Sequence, residues 1–220
     1  NITLQNVKVE KQTEAGLPIE VTYHLDDIDL PYTLAYVILN DGSIRVTAKL
    51  DLKAKKLPEL PRFGMRMQLP AGFDNLEYYG RGPEENYADR NSAAFIGIYK
   101  AQVDSLKMPY IRPQEYGYHT DTRWLKLTDA SGNGIEVEGL QPLSFSALPI
   151  KTEALDPGET KKNQHPTDLR YRDETTLHID WAQRGLVGDT SWGAYPHPQY
   201  LLTKDGYTYS YVLKLIKPER

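Results

Sequence analysis

Carboxylates crowd the segment Gly80-Arg81-Gly82-Pro83-Glu84-Glu85-Asn86-Tyr87-Ala88-Asp89-Arg90. Glycosyl transfer uses paired carboxylates that flank the scissile bond, so acid-rich loops are the first place to look for such chemistry. Here Glu84 and Glu85 are adjacent and would point apart on a strand, and neither has an evident remote partner. They read as turn and capping residues in local ion pairs with Arg81 or Arg90. A second acid–base combination, Glu115 and His119, flanks the turn Tyr116-Gly117-Tyr118 and would suit proton shuttling at a sugar carbon. The preferred reading of that pair is a surface loop. His24, His119, His165, His178 and His197 show neither an HExxH pattern nor a close carboxylate cluster, which leaves a zinc site unsupported. Ser105, Ser144 and Ser146 lack the context of a nucleophile elbow, and no glycine-rich phosphate loop occurs.

Binding chemistry is concentrated further on, in Gly188-Asp189-Thr190-Ser191-Trp192-Gly193 and the turn-rich stretch through His197 and Pro198. A large aromatic on a loop is less suited to core packing than one on an alternating strand. Platform and plug are evenly balanced for Trp192 on these grounds. One aromatic–sugar contact contributes about 1–3 kcal/mol. Trp124 and Trp181 lie within alternating stretches and are expected in the core.

The elements that must position these loops are strands. Ile19, Val21, Tyr23 and Leu25 share one face, and Ile44, Val46, Ala48, Leu50 and Leu52 do so more strictly. Tyr32–Leu39 reads as a buried strand, joined to the next by the hairpin turn Asn40-Asp41-Gly42. Phe63–Leu69, Leu76–Tyr79, Ala94–Tyr99, Arg123–Thr128, Gly134–Gly139, Leu143–Leu148, Thr176–Trp181 and Tyr207–Leu215 continue the pattern. Helix is limited to a turn or two, near Pro149–Leu155 or Pro83–Arg90, and Asp156–Arg172 is expected to be a long exposed loop. Many strands at short spacing predict a single all-β domain over 1–220, a large antiparallel sandwich.

Composition sets the outer bounds. A net charge of −4 without any basic run argues against nucleic acid or an anionic membrane as partner, and no apolar run reaches membrane-spanning length. Cysteine is absent, which excludes disulfides and thiolate metal sites and leaves the compartment open. Sixteen Tyr against four Phe fit either cross-strand pairing or a sugar-facing surface, the first being preferred. The chain opens at Asn1 in strand-like sequence, as a piece of a longer protein would.

The motifs at 80–90, Pro109–Glu115, Thr122-Arg123-Trp124 and Gly188–Gly193 resemble, in order and spacing, the C-terminal (small-chain) domain of β-galactosidases of glycoside hydrolase family 2. After Gln114-Glu115 the family has Asn-Gly-Asn-Arg where this chain reads Tyr116-Gly117-Tyr118-His119, and the family's domain begins some tens of residues earlier, so opening strands are expected to be missing. The resemblance implies a galactose-mutarotase-like sandwich (supersandwich). It also implies that the catalytic glutamates and the magnesium and sodium ligands lie on other domains, with no catalytic residue, metal or cofactor on this chain. The residue it places at the active site is Trp192, a hydrophobic wall for the galactoside, with Asp189, Ser191 and His197 as neighbouring loop residues. Implied partners are the remaining domains of the parent enzyme and, in the full enzyme, further copies of itself. Two alternatives stand beside this: an aldose 1-epimerase-like mutarotase, and a carbohydrate-binding module.

Overall fold

The computed structural model describes residues 1–53, 55–156, 165–186 and 193–218. Alternation in the sequence becomes strand: β1 (Ile2–Val9), β2 (Leu17–Leu25), β3 (Leu30–Ile38), β4 (Ile44–Asp51), β5 (Arg62–Leu69), β6 (Asn75–Gly82), β7 (Phe95–Gln102), β8 (His119–Thr128), β9 (Gly134–Leu148), β10 (Thr175–Gln183) and β11 (Gly206–Ile216). Every pairing among them is antiparallel. The main path runs β1-β2-β3-β4-β11-β9-β8-β6-β7, while β10 pairs with both β5 and β9.

Strand β9 joins the two layers. Its first half, Gly134–Gly139, pairs with β11, and its second half, Ser144–Leu148, pairs with β10. The sequence suggested two strands here; the structure makes one continuous strand that changes partners around Pro142. Proline has no N–H to give to a ladder, so the chain must leave its neighbour near that point. The gap is filled by a side chain. The Gln141 amide donates to the Ser210 carbonyl (3.0 Å) and accepts from the Ser210 N–H (3.2 Å), as a backbone peptide would.

The second layer, β5, β10 and the end of β9, closes over β3, β4 and β11. Phe63 on β5 meets the rings of Tyr32, Tyr207 and Tyr209 at 5.4–6.4 Å between centroids. Leu125, Leu127, Val137, Phe145, Ala147, Leu177 and Ile179 fill the middle and are fully enclosed. The tyrosine excess is largely accounted for inside: Tyr78, Tyr87, Tyr116, Tyr118, Tyr209 and Tyr211 are all buried. A tyrosine keeps its place there when its hydroxyl has a partner, as Tyr209 does at the Ile179 carbonyl (2.8 Å).

Three expectations need adjustment. Trp181 packs on the core beside Tyr207, but Trp124 faces away from Leu125 and Leu127, half-buried next to Tyr79 with the Lys126 ammonium 5.0 Å from its ring. The helical turn appears at Thr152–Leu155 (α1), whereas residues 83–90 are not helical: Tyr87 and Arg90 exchange backbone hydrogen bonds in a tight turn. Of the expected loop 156–172, residues 165–172 are largely exposed with one 3-10 turn, and 157–164 lie outside the described residues.

Candidate functional site

The loop at 80–90 is rigid because Asn86 is buried and uses both ends of its amide. Its Nδ2 donates to the carbonyls of Arg81 (3.1 Å) and Glu84 (3.0 Å). Its Oδ1 accepts from the Thr120 N–H (3.0 Å) and hydroxyl (2.6 Å). Arg81 adds an ion pair to Asp121 and a bond to the Ala94 carbonyl (2.8 Å). Glu85 then ties this loop to the next. Only 6% exposed, its carboxylate accepts from Tyr110, from Arg90 (2.8 Å) and from the Gly117 N–H (2.7 Å). Tyr87 stacks on Tyr118 at 5.6 Å, and the Arg90 guanidinium caps Tyr87.

Beneath the loop at 109–119 lies a charged cluster on the outer face of the second layer. Arg62 donates to Glu115, to the side-chain amide oxygen Oε1 of Gln183 (2.6 Å) and to His178 Nδ1 (3.1 Å), and its Nε lies 2.9 Å from Asp180 Oδ2. The Tyr118 hydroxyl donates to the same Asp180 oxygen (3.1 Å). Asp180 is fully enclosed and rests over Gly64, where a Cβ would stand 1.8 Å from Asp180 Oδ1. Burial pushes the Asp180 carboxyl up to about 7 against the pull of Arg62. Guanidinium only donates, so His178 Nδ1 accepts and its Nε2–H donates to Thr152 Oγ1 (3.0 Å), which fixes a neutral tautomer. Burial and the neighbouring arginines lower His178 to about 3.

His119 and Glu115 do not form an acid–base couple. His119 Nδ1 donates to the Arg81 carbonyl (3.2 Å) and its ring stacks on Phe145, while Glu115 is bound to Arg62. Burial lowers His119 to about 4, so it is neutral near pH 7.

The third loop leaves the sheet immediately after Gln183. Its feet are tied where the Gly185 N–H donates to the Tyr200 carbonyl (2.9 Å) and the Arg184 N–H to the Pro61 carbonyl (3.0 Å). Gly185 sits against the first motif: a Cβ there would fall 2.5 Å from Asp89 Oδ2. The first motif therefore touches, at Asp89, the foot of the segment that leads into the second. Trp192, Asp189 and Ser191 lie outside the described residues. His197 is exposed, and its carbonyl accepts from the Tyr200 N–H (2.9 Å) at the short turn Pro198–Tyr200. Sequence reasoning missed Arg62, His178, Asp180 and Gln183. The polar alternation Thr176, His178, Asp180 was visible, but it reads as a solvent face.

A family model described as "Beta galactosidase small chain" matches residues 1–213. The chain belongs to that family. Both motif loops and the Arg62 cluster lie within the matched stretch. Similar proteins include the β-galactosidase of Priestia megaterium (strain DSM 319 / IMG 1521), 35% identical over 96% of this chain, and that of Streptococcus thermophilus, 36% identical over 89%. The chain spans about one fifth of the length of these relatives. Among solved structures, an α-galactosidase from Lactobacillus brevis aligns over 97% of this chain and 27% of its own, with TM-score 0.52 and 9% identity. That likeness shows the fold alone, and the antiparallel sandwich expected of the family is what the strands build. Among the described residues no group of three or more His, Asp or Glu could hold a metal ion.

Proposed function

We propose that this chain is the C-terminal, non-catalytic domain of a retaining β-galactosidase of glycoside hydrolase family 2. In that enzyme one carboxylate attacks the anomeric carbon while another serves as acid and then base, and both belong to another domain. The magnesium and sodium of the full enzyme are likewise assigned to other domains, and further copies of it are its partners. This domain offers the galactoside an aromatic wall, Trp192, flanked by Asp189, Ser191 and His197. Its contribution is to binding and orientation.

The family match over 1–213 carries the reading. The state of the carboxylates supports it. Asp180 has no exposure, Glu85 commits its oxygens to Tyr110, Arg90 and Gly117, and Glu115 is held by Arg62. None of the three is poised as a nucleophile. The separate bonding of His119 and Glu115 also gives no help to an epimerase. The test is hydrolysis of a nitrophenyl galactoside. The full-length protein is expected to release nitrophenol and the purified 220-residue chain to release none. Release by the chain alone, abolished by Glu115→Gln or Asp180→Asn, would overturn the proposal.

A further inference from the structure

We infer that Glu115 and Gln183, both oriented by Arg62, form a hydroxyl-binding subsite for the leaving-group sugar of the galactoside. This deepens the proposed function and rests on it. Arg62 fixes one polar atom of each partner: Glu115 Oε1 and Gln183 Oε1 both accept from its Nη2. Each partner keeps a second polar atom, Glu115 Oε2 as an acceptor and Gln183 Nε2 as a donor. Neither has a hydrogen-bond partner among the described residues, yet neither is among the buried atoms left without one, so both have some exposure to solvent. The Glu115 side chain is one quarter exposed and that of Arg62 less.

The result is an acceptor and a donor held side by side with capacity to spare. That suits a pair of neighbouring hydroxyls, since each hydroxyl both donates and accepts. Orientation by Arg62 spares the ligand the cost of ordering these side chains. The charges also select for a neutral ligand. Arg62 is flanked by the carboxyls of Glu115 and Asp180, so the patch offers no surplus positive charge to an anion.

Position points to the leaving group. Gln183 is followed at once by Arg184 and Gly185, the foot of the segment that carries Trp192. Tyr195, 70% exposed, lies with its ring 5.8 Å from the Arg184 guanidinium and adds an apolar face at the foot. An ion pair serving only to hold the loop at 109–119 would need Arg62 and Glu115. It gives no role to the amide nitrogen of Gln183.

The experiment compares KM for lactose, whose leaving group is a hydroxyl-rich hexose, with KM for nitrophenyl galactoside, whose leaving group has no sugar hydroxyls. Full-length protein is used as wild type, Glu115→Gln, Gln183→Ala and Trp192→Ala, with thermal unfolding to establish that each variant folds. The lactose-to-nitrophenyl KM ratio is expected to rise about fivefold in Glu115→Gln and in Gln183→Ala, the size of one lost hydrogen bond. A ratio within about twofold of wild type in both would overturn the subsite. Should Glu115→Gln fail to fold, Gln183→Ala decides alone. If Trp192→Ala raises KM while both ratios stay at the wild-type value, the subsite falls and the domain's proposed function stands. If the wild-type full-length protein cleaves neither galactoside, both fall together.

Discussion

Asn86 and Arg62 are each the hub of a buried polar network, but Asn86 is neutral and bonds mostly to backbone, whereas Arg62 is charged and bonds to side chains. A buried amide with all its bonds made shapes a loop without bringing a charge out of water. A buried guanidinium must bring its counter-charges with it, and the cluster survives only if they stay together. The first network is closed on itself. The second ends in groups that still have bonding capacity, beside the foot of the Trp192 segment. The difference separates scaffold from surface prepared for a ligand.

Breaking the charged hub should cost most. Arg62→Met leaves Asp180 enclosed without its cation and is expected to lower stability by about 3–5 kcal/mol in urea unfolding. Removing the acid as well, in Arg62→Met with Asp180→Asn, should restore part of that loss. A double variant no more stable than the single one would show that Asp180 does not need Arg62.

Breaking the neutral hub should cost slightly less. Asn86→Ala strands the Glu84 carbonyl and the Thr120 N–H and leaves the Arg81 carbonyl with its bond from His119, a loss of about 2–4 kcal/mol if water cannot reach the stranded groups. Asn86→Asp should be at least as harmful, because an oxygen then faces those two carbonyls. A Tm unchanged in either variant would mean the loop holds its shape by other contacts.

The two regions each hold a neutral histidine, and pH sharpens the comparison. His119 is lowered to about 4 and His178 to about 3 from an ordinary 6.5, so each contributes stability that is full above pH 6.5 and lost as pH falls toward those values. Asp180, raised to about 7 from 3.8, works the other way: its contribution is full below pH 3.8 and fades as pH rises through 7. Between pH 4 and 6.5 two histidines outweigh one carboxyl, so stability should fall by about 1.4 kcal/mol per pH unit on acidification. His119→Gln should flatten most of that slope. An unaltered slope would show that His119 does not set it.

The smallest effect belongs to the charged rows on the outer face of the first layer. Lys126 lies across from Glu136 at 3.6 Å on the outer face of β8 and β9, and Lys126→Met should change stability by less than about 1 kcal/mol. A loss as large as that of Asn86→Ala would erase the contrast between buried and exposed polar groups.

Much of the fold was legible because alternation records which residues share a face. Val46, Ala48, Leu50 and Leu52 were placed together from their spacing and are all buried. Spacing does not record whether a second layer covers that face. Trp124 and Trp181 both lie in alternating strands, yet only Trp181, on β10, faces the opposite layer, where it meets Tyr207 of β11. His178 and Asp180 alternate with Leu177 and Ile179 and look like the wet side of a strand. Tyr118 and its loop cover Asp180, and Thr152 bonds to His178. The motif loops announced themselves through glycine, proline and dense charge. The Arg62 cluster gave no such signal, since its members stand on separate strands and a loop, and only folding gives them a common spacing.

The central claim is that this chain shapes substrate binding and leaves bond cleavage to another domain. Steady-state kinetics of full-length Trp192→Ala and Trp192→Phe on lactose test it most directly. Loss of one stacking face worth about 1–3 kcal/mol should raise KM for the alanine variant roughly tenfold or more, and less for phenylalanine, with kcat changed little in either. Wild-type KM in both variants, or a collapse of kcat at unchanged KM, would contradict it.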